Sequence, residues 1–96
     1  MADEQKVVEV LKNIKDPELG VDIYTLELIR GIKIEDKRIV ITMTLTSPAC
    51  PYGPQIISDV ERMVGRKTNK EVFVDVTFNP PWEPSIELRE ELMSGH

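Results

Sequence analysis

Apolar residues recur along this chain in two rhythms. Over residues 3 to 14, "DEQKVVEVLKNI", Val7, Val10, Leu11 and Ile14 fall at helical spacing, which predicts an amphipathic helix with Asp3 as its cap. Pro17 disfavours helical geometry at Asp16, so this helix is expected to end near Lys15. "DPELG" then reads as a turn, with Gly20 free to take positive φ. From Leu28 to Leu45 the period becomes two. Ile32 and Ile34 share one face of "LIRGIKIE", while Ile39, Ile41, Met43 and Leu45 alternate with Val40, Thr42 and Thr44 in "RIVITMTL". With "EDKR" as a polar turn between them, these two runs predict a β-hairpin.

Helical spacing returns in "PQIISDVERMVG" through Ile56, Val60, Met63 and Val64. Pro54 suits the first turn of that helix and Gly65 the position just past its end. "GRKTNK" (65 to 70) is then expected to be a solvated loop. "EVFVDVTF" predicts a strand with Val72, Val74, Val76 and Phe78 on one face. "NPPWEP" stops it, and "PSIELREELM" offers a short terminal helix that frays. The order helix, strand, strand, helix, strand, helix predicts an α+β two-layer sandwich, with helices on one face of a small, mainly three-stranded mixed sheet. The 96 residues suffice for one domain, 1–96, and are too few for two.

Composition narrows the setting more than the fold. No apolar run approaches the roughly 18 residues of a membrane span, and "MADEQK" lacks the features of a signal peptide. One cysteine cannot form an internal disulfide, which fits a reducing cytoplasm. A net charge of −5 disfavours a nucleic-acid backbone as partner, because affinity there comes mainly from displaced counterions. The expectation is a cytoplasmic protein that binds neither nucleic acid nor membrane.

The chemistry centres on "TLTSPACPYGPQ" (44 to 55). Cys50 lies between Pro48 and Pro51, where the hairpin's second strand feeds the second helix. A thiol at a helix N-terminus is favoured as thiolate, although Pro51 and Pro54 remove two of the free N–H donors. The prolines supply rigidity instead, since they fix φ. The alternative is a small buried apolar residue, because free cysteines are often buried. Asp16 and Glu18 bracket Pro17, with Asp22 close behind: a rigid turn able to bind a hard cation or shift a neighbour's pKa, or simply a solvated loop. Thr44, Thr46 and Ser47 offer hydroxyl donors toward a thiolate or anion, yet Thr44 and Thr46 equally suit a strand's polar face. Tyr52 suits core or rim. Trp82 is either a lid or an anchor for the chain end, and Pro80 and Pro81 are candidates for a cis bond.

Other constellations are missing. His96 is the only histidine, so one chain holds neither a zinc ligand set nor a Cys-His pair, and no nucleotide-binding glycine pattern occurs. No enzyme activity is expected. Iron–sulfur clusters usually take four ligands, mostly thiolates. A cluster bound through Cys50 is therefore expected to be shared with another subunit, a partner or exogenous thiols.

"DPELGVDIYTLELI", "MTLTSPACP" and "VDVTFNPPWEP", in this order and spanning nearly the whole chain, resemble the PaaD/SufT-like metal–sulfur cluster assembly domain family. The Asp-Pro-Glu turn corresponds to Asp16, Pro17 and Glu18, the Thr-x-x-x-Cys-Pro element to Thr46, Cys50 and Pro51, and the Pro-Pro-Trp element to Pro80, Pro81 and Trp82. The resemblance implies an iron–sulfur assembly, transfer or maturation factor acting through Cys50, which binds iron or a transient cluster. Asp16, Glu18, Thr46, Ser47 and Pro51 would support that site, and Tyr52 and Trp82 would meet partners. Its partners are expected to be iron–sulfur assembly proteins and client apoproteins, and a homodimer would double the thiolate count. Two alternatives remain: a metal-free adaptor that docks client apoproteins, and an accessory protein of an aromatic-ring monooxygenase complex. Members of that last branch carry a cysteine-rich C-terminal extension that these residues do not contain, which favours general cluster assembly. Three positions depart from the family pattern. Glu27 stands where glycine is usual, and Thr25 and Asn79 each stand where aspartate is frequent. RNA binding of the KH type is not expected, because its GxxG loop does not occur.

Overall fold

The computed structural model describes residues 3–46, 51–83, 85–86 and 88–90. Its elements run α1 (Asp3–Leu11), β1 (Ile29–Ile34), β2 (Arg38–Met43), α2 (Gly53–Thr68) and β3 (Glu71–Val76). β2 is the centre of a three-stranded mixed sheet. It pairs antiparallel with β1 through the hairpin and parallel with β3, the register running Ile32↔Ile41 and Ile34↔Ile39 on one side and Ile39↔Val72 and Ile41↔Val74 on the other. Parallel pairing of β2 with β3 requires a crossover, and α2 supplies it.

The two-period pattern does what it predicts. Ile39, Ile41 and Met43 are fully buried, and α1 and α2 cover that face with Val7, Leu11, Ile56, Val60 and Val64. The alternate residues of the strands are left partly or fully exposed on the opposite face. Among the described residues all helical packing is thus on one side of the sheet, as the α+β expectation requires.

The helix ends differ from expectation. α1 stops at Leu11 rather than near Lys15, its last turn tightening as Asn13 N–H donates to the Val10 carbonyl at 2.9 Å and Ile14 N–H to that of Leu11 at 3.3 Å. Asp3 lies in the first turn, and its carboxylate reaches Lys70 Nζ at 2.8 Å. α2 does not end at Gly65 but continues to Thr68, so most of the basic "GRKTNK" stretch is helix and not loop. Asn69 takes the left-handed cap (φ 58°) that Gly65 was expected to supply, and Arg66 and Lys67 sit favourably at the negative end of the helix dipole. Gly20 does take positive φ, at 69°. Beyond β3, Asn79–Pro80 is cis. Helical geometry returns at Ile86 and 88–90, where Ser85 Oγ accepts from Leu88 N–H and Leu88 is buried in the core.

A candidate site at one end of the sheet

β2 and β3 run the same way and finish together at Met43 and Val76, while antiparallel β1 begins there at Ile29. Three stretches of chain therefore gather at that end: the turn that leads into β1, the connection from β2 to α2, and the segment leaving β3. Backbone hydrogen bonds tie them together. Thr44 N–H donates to the Leu28 carbonyl at 2.8 Å and Thr77 N–H to the Met43 carbonyl at 2.9 Å. The Asp-Pro-Glu, Thr-x-x-x-Cys-Pro and Pro-Pro-Trp motifs lie in these three stretches.

Asp16 is not a solvated turn carboxylate. It is 1% exposed, and its Oδ1 accepts from the N–H groups of Glu18 at 2.8 Å and Leu19 at 3.1 Å. Its main chain closes the same turn, donating to the Val21 carbonyl and accepting from Gly20 N–H. Glu18, held by that bond, is exposed. Asp22 repeats the device one turn later, its Oδ2 accepting from Thr25 N–H at 2.8 Å. Thr44, expected on a polar strand face or beside a thiolate, is fully buried, with its hydroxyl donating weakly to the Leu45 carbonyl at 3.4 Å. Thr46 is half-buried, and Pro51 and Tyr52 are exposed. Ser47 and Cys50 lie outside the described residues, as does any contact between Cys50 and Asp16 or Glu18.

The start of α2 is pressed onto the end of β2. A Cβ added at Gly53 would lie 2.8 Å from Leu45 Cδ1, so glycine permits the approach. Tyr52, the cap residue, makes no side-chain hydrogen bond to the helix, and no acidic residue occupies the first turn. Nothing in that turn neutralises the positive end of the helix dipole, which suits an anionic neighbour. Among the described residues, no three His, Cys, Asp or Glu side chains are grouped to hold a metal ion.

Trp82 is an anchor. Its indole N–H donates to the Leu26 carbonyl at 2.6 Å and its ring packs half-buried against the core. This bond ties the segment after β3 to the turn before β1. Beside it opens a cleft of about 480 Å³, lined by Tyr24, Glu27, Ile29, Arg30, Trp82 and Glu83. Glu27, on its rim, has φ 62°. This is the left-handed region, where glycine is unstrained and a side chain is not, which accounts for glycine as the usual family residue there.

The iron–sulfur cluster assembly protein profile matches residues 4–77, most of the chain. The chain belongs to that family. It is 39% identical over 92 residues to the Fe-S protein maturation auxiliary factor of Porphyromonas gingivalis, covering 94% of this chain and 87% of that one. Over 76 residues it is 39% identical to the Fe-S protein maturation auxiliary factor SufT of Staphylococcus aureus, covering 77% of this chain and 86% of that one. A crystal structure of a domain of unknown function from Bacillus anthracis superposes with a TM-score of 0.84 at 37% identity, covering 96% of this chain and 92% of that one. The family resemblance and the α+β fold expected from the sequence are both borne out. Among the described residues no helix is long and apolar enough to cross a membrane.

The sequence missed two participants at this end. One is the Leu26 main-chain carbonyl that receives Trp82, which leaves no signature in residue type. The other is Glu27, whose departure from glycine was visible but whose left-handed backbone was not.

Proposed function

We propose that this protein serves the maturation of iron–sulfur proteins in a reducing cytoplasm by presenting the Cys50 thiol as a ligand for iron or an iron–sulfur cluster in transit. The observation that carries this reading is the convergence of all three motif-bearing stretches at one end of the sheet. Thr46 and Pro51, on either side of the segment containing Cys50, belong to that end. An uncompensated helix N-terminus there favours thiolate over thiol. The cluster is cargo, and one chain contributes a single thiolate to it, so the remaining ligands come from a second copy, an assembly protein or the client apoprotein. Asp16 contributes by fixing the turn beside β1, and Glu18 offers a charge at its surface.

The test is anaerobic reconstitution with iron and sulfide, wild type beside Cys50→Ser, followed by absorption and Mössbauer spectra and by activation of an apoprotein client. The expected result is loss of iron loading and client activation in Cys50→Ser, with a melting temperature within about 2 °C of wild type. A variant that still loads and activates clients at wild-type levels would exclude the thiol as ligand.

A second reading, a metal-free adaptor that docks clients, is favoured by the cleft beside Trp82. It differs in one outcome: Cys50→Ser would keep client activation, and substitutions at Tyr24 or Glu27 would abolish it.

A further inference from the structure

The helices cover one face of the sheet, and the other carries a divided charge pattern. By register, Gly31 and Lys33 of β1, Arg38, Val40 and Thr42 of β2, and Glu71, Phe73 and Asp75 of β3 share that face. Its apolar middle is Val40 and Phe73, and the Phe73 ring is 48% exposed with the Arg38 guanidinium 5.9 Å from its centre. Its cations stand on β1 and the start of β2, and its anions, Glu71 and Asp75, stand on β3. Asp75 makes no ion pair among the described residues.

We infer that this face is a homodimer interface, in which two sheets pack face to face about a two-fold axis parallel to the strands. Identical sheets stacked this way have two symmetric choices. An axis across the strands sets β1 on β1 and β3 on β3 with their directions reversed, which brings Lys33 toward Lys33 and Asp75 toward Glu71. An axis along the strands sets β1 of each copy over β3 of the other. Lys33 then falls between Glu71 and Asp75 of the second copy, at the level of its Phe73. Gly31 leaves a notch beside Lys33 for that ring, since a Cβ there would meet only Thr42 Cβ at 3.9 Å. The second arrangement opposes one like pair, Arg38 with Arg38, each held beside its own Glu35 and Glu71, whereas the first opposes Lys33 with Lys33 and each Asp75 with a Glu71. Charge complementarity therefore selects the second, because like charges opposed across an interface are costly.

The selected axis has a functional consequence. It preserves strand direction, so the carboxyl ends of β2 and β3 in both copies lie at the same end of the dimer, and with them Thr46 and Pro51 of both copies. The dimer itself stands on the sheet face alone, while its use in placing two thiolates toward one cluster rests on the Cys50 reading above.

Three strands about 4.8 Å apart and six residues long make a patch of roughly 15 by 20 Å. That is small for an obligate dimer and fits a weak, reversible one, with Kd of about 10–100 µM. Sedimentation equilibrium on the full chain up to about 500 µM tests it. Lys33→Glu and Asp75→Lys are each expected to raise Kd by about 10-fold or more, and the double variant to recover most of the loss. Thr42→Cys in a Cys50→Ser background adds an independent readout. Thr42 meets its own copy across the chosen axis and faces the level of Arg38 across the other, so a bismaleimide crosslinker reaching about 10 Å, the spacing of packed sheets, should yield a covalent dimer. A monomer at every concentration overturns the proposal, as does a dimer indifferent to both charge reversals or a double variant no better than the singles. None of these results bears on iron loading through Cys50, which would then depend on a different partner.

Discussion

The two ends of the sheet are held together by different physics. At the end where the hairpin turns and β3 begins, the ties are ion pairs. Lys70 bridges the Asp3 carboxylate at 2.8 Å and the Glu35 carbonyl at 2.9 Å, and Glu35 also pairs with Arg38 and, at 3.8 Å, with Lys33. At the motif end no ion pair occurs among the described residues. The ties there are hydrogen bonds onto main-chain groups: Asp16 onto Glu18 and Leu19, Asp22 onto Thr25, Trp82 onto Leu26. Exposed ion pairs stretch, exchange partners and weaken in salt. Bonds onto main-chain groups, most of them part-buried, fix loop geometry and are screened less. The end that carries the motifs is the one whose ties do not rest on ion pairs, and its charged groups Glu27, Arg30 and Glu83 make no ion pair among the described residues.

This contrast can be broken at three points. The largest effect belongs to Asp16→Ala, which strips the Glu18 and Leu19 amides of their acceptor and is expected to destabilise by about 1–2 kcal/mol. Chemical denaturation with urea at low and at 1 M salt should give the same loss, and a loss that vanished in salt would mean the motif end is electrostatic after all. Glu27→Gly should act in the opposite direction. Releasing a side chain from left-handed backbone, less the extra chain entropy of glycine, is expected to stabilise by about 0.5–1 kcal/mol. An unchanged or lowered urea midpoint would show that the Glu27 side chain contributes more than its backbone costs.

Lys70→Ala should have the smallest effect, and its signature is dependence on conditions. The hydrogen bond from Lys70, chiefly, holds the Asp3 carboxyl below its ordinary range, and the Arg38 hydrogen bond does the same for Glu35. A lowered folded pKa means stability that is present above the unfolded value, about pH 4, and is lost as pH falls through the folded one. The difference in melting temperature between wild type and Lys70→Ala should therefore shrink below about pH 4 and in 1 M salt. A difference constant from pH 7 to pH 3 would assign Lys70 a packing role instead.

What the sequence revealed follows the same division. Strand faces were legible because burial imposes period two, and Val72 and Val74 could be assigned to one face on that ground, but their places beside Ile39 and Ile41 could not. Helix ends were less so: Gly65 looked like a terminator, but Asn69 also tolerates left-handed geometry, and nothing between them forbids helix. At the motif end, residue identity announced the turn at Asp16 without telling that its carboxylate points inward to cap that turn. Trp82 was weighed as lid or anchor, and its acceptor, a main-chain carbonyl 56 residues away, has no mark in the sequence. The motifs singled out candidate residues, and only the topology of β2 and β3 told that the described ones share one end.

The Trp82–Leu26 bond also makes the molecule its own optical gauge. Trp82 is the only tryptophan in the chain, so the whole indole emission arises from one ring at the motif end, with its N–H held by a carbonyl. Its wavelength and intensity follow that tether, while ion pairs loosening at the opposite end leave them unchanged. Unlabelled protein thus reports on its motif end by fluorescence, separately from the ellipticity that tracks the fold as a whole.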